Sequence, residues 1–206
     1  MARLNVPPTK SSLLEIGKSL KFAEEGFELL EQKRQILVLE LMSRLERAKR
    51  IQKTSDEAMA AAFGALKRAQ LASGSAMLQQ EAVAVPIESE IKLGGNRVMG
   101  IDLSTVNVSL EEMIARFAVT RTNTTSDEVM AGFHRVLQLL GELAEIESAV
   151  FRLAMELRKT QRRVNALEKI FLPEYRDTVR YIRETLEERE RDELIIMKMI
   201  KHRRPA

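Results

Sequence analysis

The segment Val129–Leu167, VMAGFHRVLQLLGELAEIESAVFRLAMELRKTQRRVNAL, decides the fold of the chain. Its apolar residues recur every three and four positions. Counted from Val129, the a positions of a seven-residue repeat are Val129, Val136, Leu143, Val150, Leu157 and Val164, all apolar. The d positions are Gly132, Leu139, Ile146, Leu153, Thr160 and Leu167, apolar at the four Leu and Ile. A strict a/d repeat sustained this long is a coiled-coil seam. Thr125-x-x-Glu128 has the form of a capping box and predicts the start of the helix. From there the helical pattern runs to Arg204, interrupted only by Pro173. At 1.5 Å per residue this is roughly 110–120 Å of helix. Such a seam needs a partner.

The N-terminal part supplies a candidate. Pro7-Pro8 exclude a helix before them, and Thr9 is suited to an N-cap. Beyond it, Leu13, Leu20, Phe27, Arg34, Leu41 and Ala48 take a positions, and Ile16, Ala23, Leu30, Leu37, Arg44 and Ile51 take d positions. The repeat continues in small residues (Ser55, Ala58, Ala62, Ala65, Ala69, Ala72), which let two backbones come close. Gly74 is placed to end the helix as a C-cap. Two long seams joined by a connection able to reverse the chain favour an antiparallel intramolecular pair over a parallel homodimer. A reversal between Ser73 and Asp127 pairs residues whose numbers sum to about 200, setting Arg44 opposite Glu156 and Arg34 near Glu168. Two readings of these seam arginines stay open. They snorkel to the surface, or they fix register through those glutamates.

The same register leaves residues from about Asp192 to His202 beyond the end of the first helix. Leu194, Ile195, Ile196, Met197, Met199 and Ile200 make this tip apolar nearly all round. It either packs on the N-terminal tail or inserts into a collar made by another protein, and the second reading is favoured.

Between the helices the pattern alternates. Val83, Val85, Ile87, Ile91 and Leu93 interleave with polar or small residues, Gly94-Gly95-Asn96 read as a turn, and Met99, Ile101 and Leu103 resume the alternation. This predicts a β-hairpin with Pro86 confining its strand to an edge. Ser109-x-x-Glu112 then reads as the cap of a short helix bearing Met113, Ile114 and Phe117. The expected fold is therefore all-α dominated: a long antiparallel two-helix coiled coil with a small insert. Its parts are an N-terminal coiled-coil helix (1–74), a β-hairpin plus short helix (75–125) and a C-terminal coiled-coil helix (126–206).

Composition narrows the function. The chain has 206 residues, no cysteine, no tryptophan and 33 basic against 30 acidic residues. Interspersed charges of both signs belong to solvated helix faces, not to a nucleic-acid-binding surface. The chain lacks an apolar run of membrane-spanning length and a signal-peptide h-region, which predicts a soluble intracellular protein. There is no phosphate-cradling glycine motif, and His134 and His202 have no metal-ligand spacing. No catalytic, cofactor-binding or metal-binding residues are expected.

One stretch departs from plain coiled-coil logic. Thr160, Arg162, Arg163 and Asn165 put polar groups on or beside the seam, in the run Thr160-Gln161-Arg162-Arg163-Val164-Asn165-Ala166-Leu167-Glu168, with Pro173 downstream. This run resembles the T-x-R-R-V-N-A-L-E signature of the D subunit of the V/A-type rotary ATPases. Pro8-Thr9-Lys10 and Gly26-x-x-Leu29-Leu30-x-x-Lys33-Arg34 resemble that family's N-terminal motifs, so both long helices are covered. The chain differs from many members in Phe27 for His, in Lys169 for an apolar residue, and in its more apolar tip. The resemblance implies a non-catalytic central rotor shaft standing in a hexamer of A and B subunits. It further implies a small F subunit as partner and a cup-like subunit above a membrane ring that moves H⁺ or Na⁺. Membrane association would be indirect, on the cytoplasmic side and through the complex. The alternative class is a coiled-coil adaptor or tether without a motor.

Overall fold

The structure, a computed structural model, describes residues 3–84, 89–110 and 124–203. The order of elements is α1 (Lys10–Ser73), α2 (Ser75–Ala84), β1 (Ser89–Val98), β2 (Ile101–Leu110), α3 (Thr124–Ala166), a π turn (Leu167–Phe171) and α4 (Leu172–Arg203). The long N-terminal and C-terminal helices pack antiparallel along the two seams. Helix α1 starts where Thr9 caps it: the Thr9 carbonyl accepts the Leu13 N–H at 3.0 Å and its hydroxyl accepts the Ser12 N–H at 3.1 Å. It ends at Gly74, whose φ of +81° is the left-handed conformation that glycine supplies at low cost. The chain forms two compact units, residues 1–37 with 157–206, and residues 38–156.

In the first unit, Ile16, Ala23 and Leu37 of α1 are buried together with Thr160, Val164, Leu172, Thr178 and Ile182. Lys10 with Glu190 (2.9 Å) and Glu24 with Arg176 (2.7 Å) fix the antiparallel sense, and both pairs have numbers summing to 200. The expected Arg34–Glu168 approach is replaced. Arg34 donates to Gln161 at 2.9 Å and pairs with Glu31 on its own helix, so the numbers there sum to 195. The N-terminal tail folds back along α4. The Leu4 N–H donates to the Thr178 hydroxyl at 3.1 Å, Arg189 donates to the Pro8 carbonyl at 3.1 Å, and the Arg3 guanidinium lies 4.2 Å from the centre of the Tyr181 ring.

The C-terminal helix is not uniform. At Leu172 the N–H bonds to the carbonyl of Leu167, five residues back, where a regular helix would use the fourth. Pro173 explains the place. In a regular α-helix its ring would strike the Lys169 carbonyl, and it has no N–H to give. The wide turn inserts one residue and shifts the seam. Strict sevens from Val164 put Phe171 inside, yet Phe171 is 44% exposed and Leu172 only 6%. The seam then resumes in phase through Tyr175, Val179, Ile182 and Leu186.

In the second unit, Ser55, Ala62, Ala65 and Ala69 pack with Val136, Ile146, Ala149 and Leu153. The small residues bring the helices together: a Cβ on Gly132 would lie 3.2 Å from the Cβ of Ala62. Phe63 and Phe133 meet edge to face at 5.5 Å. Arg44 pairs with Glu40 of its own helix at 2.7 Å. The capping box at Thr125 is not formed: the helix already includes Thr124, the Thr125 hydroxyl finds no partner among the described residues, and Glu128 pairs with Arg68 at 3.4 Å.

The insert is a two-stranded antiparallel hairpin running from Ser89↔Leu110 to Val98↔Ile101. Its turn is Met99-Gly100, both with positive φ (51° and 80°), as a two-residue hairpin turn matched to strand twist requires. Gly94, Gly95 and Asn96 lie inside β1, not in a turn. Gly94 is needed there because a Cβ would sit 2.5 Å from the Thr105 hydroxyl across the ladder. Val83 belongs to α2 rather than to a strand, and Ser109 belongs to β2, donating to the Glu90 carbonyl at 3.2 Å instead of capping a helix. The expected short helix with Met113, Ile114 and Phe117, and the strand position of Pro86, lie outside the described residues. Strand β2 rests on α3. The Val106 N–H donates to the Glu145 carboxylate at 2.9 Å, Arg152 donates to the Asp102 carbonyl at 2.6 Å, and Val108 fills the space over Gly141.

Candidate functional site

Three features of the first unit stand apart from plain packing. The first is the run Thr160–Glu168. Thr160 and Val164 are buried in the seam, Ala166 and Leu167 are half-buried, and Arg162, Arg163, Asn165 and Glu168 are exposed. Asn165 accepts from Gln161 at 2.8 Å, and Gln161 in turn accepts from Arg34. The polar residues of the run therefore divide between one cross-helix network and an outward basic face.

The second is the tip. Leu194, Ile195, Ile196, Met197, Met199 and Ile200 are each 51–63% exposed. Successive helical residues step by about 100°, so a seven-residue stretch presents every face, and no face here is covered. The contacts of the described tail residues 3–8 fall on residues 178–189. Lys10 marks the point where the pair ends. Its ammonium is held above its ordinary pKa, chiefly by the hydrogen bond to Glu190 and then by the charge of that carboxylate.

The third was not foreseen from the sequence. Beside the π turn is an open groove of about 640 Å³, lined among others by Phe22, Gly26, Leu30, Leu167, Phe171 and Tyr175. Its readable signal was the five-residue step from Leu167 to Leu172 ahead of Pro173, which breaks the seven-residue repeat and turns Phe171 outward. Phe22, 77% exposed, stands at the other side.

Among the described residues no group of three or more His, Cys, Asp or Glu could hold a metal ion, and no helix is long and apolar enough to cross a membrane. His202 is exposed and His134 half-buried.

The chain resembles known proteins over nearly its whole length. Residues 12–202 match the family of ATP synthase D subunits. The V-type ATP synthase D subunit of Thermotoga neapolitana is 33% identical over 200 residues, covering 97% of this chain and 98% of that one. The A-type ATP synthase D subunit of Pyrococcus abyssi is 33% identical over 201 residues, covering 96% and 94%. The A-type ATP synthase D subunit of Methanobrevibacter smithii is 33% identical over 199 residues, covering 95% and 86%. Full-length similarity through both seams, the insert and the tip places the chain in one family: it belongs to the ATP synthase D subunits of V/A-type complexes.

Proposed function

We propose that this chain is the central-stalk rotor subunit of a V/A-type ATP synthase or ATPase. It transmits torque between a hexamer of A and B subunits and a membrane ring, coupling ATP synthesis or hydrolysis to H⁺ or Na⁺ movement. On this reading ATP chemistry belongs to the hexamer, and the chain itself is non-catalytic. It is peripheral, on the cytoplasmic side, held to the membrane through a cup-like subunit and accompanied by the small F subunit.

The observation that carries the reading is the tip. A lone helix exposing Leu194–Ile200 on all faces is costly in water, and an apolar collar of surrounding subunits would cover it without directional bonds. Apolar contact of that kind permits rotation, whereas hydrogen bonds or ion pairs would hold one angle. The two unlike helices support the same reading, since they present a different surface to each side of a ring. The run Thr160–Glu168 would be the part of the shaft that the ring grips.

Native mass spectrometry of the complex carrying the tagged chain tests this. One copy travelling with three copies each of two nucleotide-binding subunits is expected. A free homodimer, or a complex lacking any ATPase subunit, would overturn the rotor reading and favour a coiled-coil adaptor. Within an assembled complex, removal of residues 192–206 should weaken docking of the chain into the ring while its helical melting persists.

A further inference from the structure

The capping box Thr125-x-x-Glu128 is present in the sequence and unused in the structure. Helix α3 begins one residue earlier, at Thr124, and its first turn is held from outside. The Ser126 hydroxyl, 4% exposed, donates to the Glu81 carboxylate of α2 at 2.8 Å. That bond sets a negative charge at the positive end of the α3 dipole, where it is favoured. The arrangement is incomplete. The second Glu81 carboxylate oxygen and the Thr125 hydroxyl are both buried without a hydrogen-bond partner among the described residues. Unpaired buried polar groups are costly, which offsets part of what the contact contributes.

Helix α2 is otherwise loosely held. Met77, Leu78 and Glu81 are half-buried, and the other side chains described on it are exposed. Among the described residues, its one side-chain hydrogen bond to another element is the one from Ser126. It joins α1 at Gly74, a glycine of positive φ with open space around it, which suits a pivot.

We propose that α2 is a latched arm and that the first turn of α3 has two alternative caps. In the latched state Glu81 holds Ser126 and α3 starts at Thr124. In the released state α2 swings about Gly74 and Thr125 becomes the N-cap. Its hydroxyl accepts the Glu128 N–H, and the Glu128 carboxylate accepts the Thr125 N–H. To do so Glu128 leaves only an exposed pair with Arg68, which is weakly held. Both unpaired groups of the latched state then gain partners, one in the box and one in water. This compensates for the lost Glu81–Ser126 bond and keeps the two states close in free energy. The box lies wholly within α3, so drawing α2 away leaves that helix capped. Since α1 leads toward β1 through α2, the root of the hairpin can move without unwinding the helix pair. The device does not depend on the rotor reading.

Amide hydrogen exchange of the full chain tests it through a cycle of Glu81→Ala and Thr125→Val. Glu81→Ala should speed exchange in residues 75–84 roughly tenfold, the size of one hydrogen bond to a charged group, while the Glu128 amide stays protected. Ser126→Ala breaks the same bond from the other side and should release α2 equally. Thr125→Val alone should leave both regions unchanged, because its hydroxyl is unused in the latched state. Added to Glu81→Ala, it should speed exchange of the Glu128 amide roughly tenfold, because the second cap is gone. Unchanged exchange of α2 in Glu81→Ala or in Ser126→Ala overturns the latch. Thr125→Val equally silent in both backgrounds overturns the alternative cap, and with it the proposal.

Discussion

Deleting Ile170 tests whether the π turn exists to carry Pro173 past the seam. Ile170 is 58% exposed, so its removal loses little apolar burial. The deletion closes the step from Leu167 to Leu172 to four residues, which a regular helix spans with both side chains on the seam. The deletion alone forces Pro173 into a regular turn, against the carbonyl four residues before it. The cost is that of proline in a helix interior, about 3 kcal/mol. With roughly 2–4 °C per kcal/mol for a chain of this size, the melting temperature should fall by about 6–12 °C. Pro173→Ala alone should change stability by no more than about 1 kcal/mol, because the inserted residue still has to be accommodated. Combined, the two changes should restore an unbroken helix and melt at or above the parent. The assay is a double-mutant cycle followed by far-ultraviolet circular dichroism. Additive effects, with the double variant as unstable as the deletion, would refute the link between the proline and the wide turn.

Three further outcomes are expected. Replacing Arg34, its ion-pair partner Glu31 and Gln161 together by Leu should be neutral or stabilising by about 1–4 kcal/mol in urea melts, because a part-buried polar group replaced as a whole by packed apolar side chains relieves desolvation. Loss of several kcal/mol would show that the group holds the helices together. Met99→Gly should stabilise the hairpin by about 1 kcal/mol, read as slower amide exchange across β1 and β2, since Met99 bears an unfavourable φ of +51°. The Lys10–Glu190 pair gives a signed pH effect. The folded value is raised above 10.5, so its contribution is complete below 10.5 and disappears as pH rises through the folded value. A Lys10→Gln chain should show the smaller alkaline loss of stability; identical alkaline profiles would refute the assignment.

The seams were legible because burial imposes period on sequence. Leu37, Ala62, Val136, Leu153 and Val164 all sit where the repeat puts them, and Gly74 ends α1 where its left-handed φ is needed. The hairpin was legible as an element but not in register. Gly94-Gly95-Asn96 have turn composition, yet Gly94 is set by the Thr105 side chain across the ladder, a non-local cause. The true turn carries methionine in a left-handed conformation, which local preference would not choose. The groove was hidden for a similar reason. Reading Phe171 as exposed requires knowing how a proline redistributes hydrogen bonds over the preceding turn.

The local rules that this chain breaks fall in both units but are densest in the first. In the second unit the seam is largely Ala, Val, Ile and Leu, with Arg44 as the exception, and a Cβ on Gly132 would make a tight 3.2 Å approach to Ala62. In the first unit the seam carries Arg34 and Thr160, an unexplained helical glycine at Gly26, a π turn and a proline, between residues 26–34 and 160–173. Each lowers the stability of an isolated coiled coil, and Arg34 even leaves its buried Nε without a hydrogen-bond partner among the described residues. Sequences that fold well agree with their structure at every level except where function requires otherwise. A tether needs only two good seams and would gain by replacing all of these residues with Leu and Ala. A shaft that must be gripped at one level needs surface features there, including exposed rings, an open groove and outward cations, and these are the groups that the departures create.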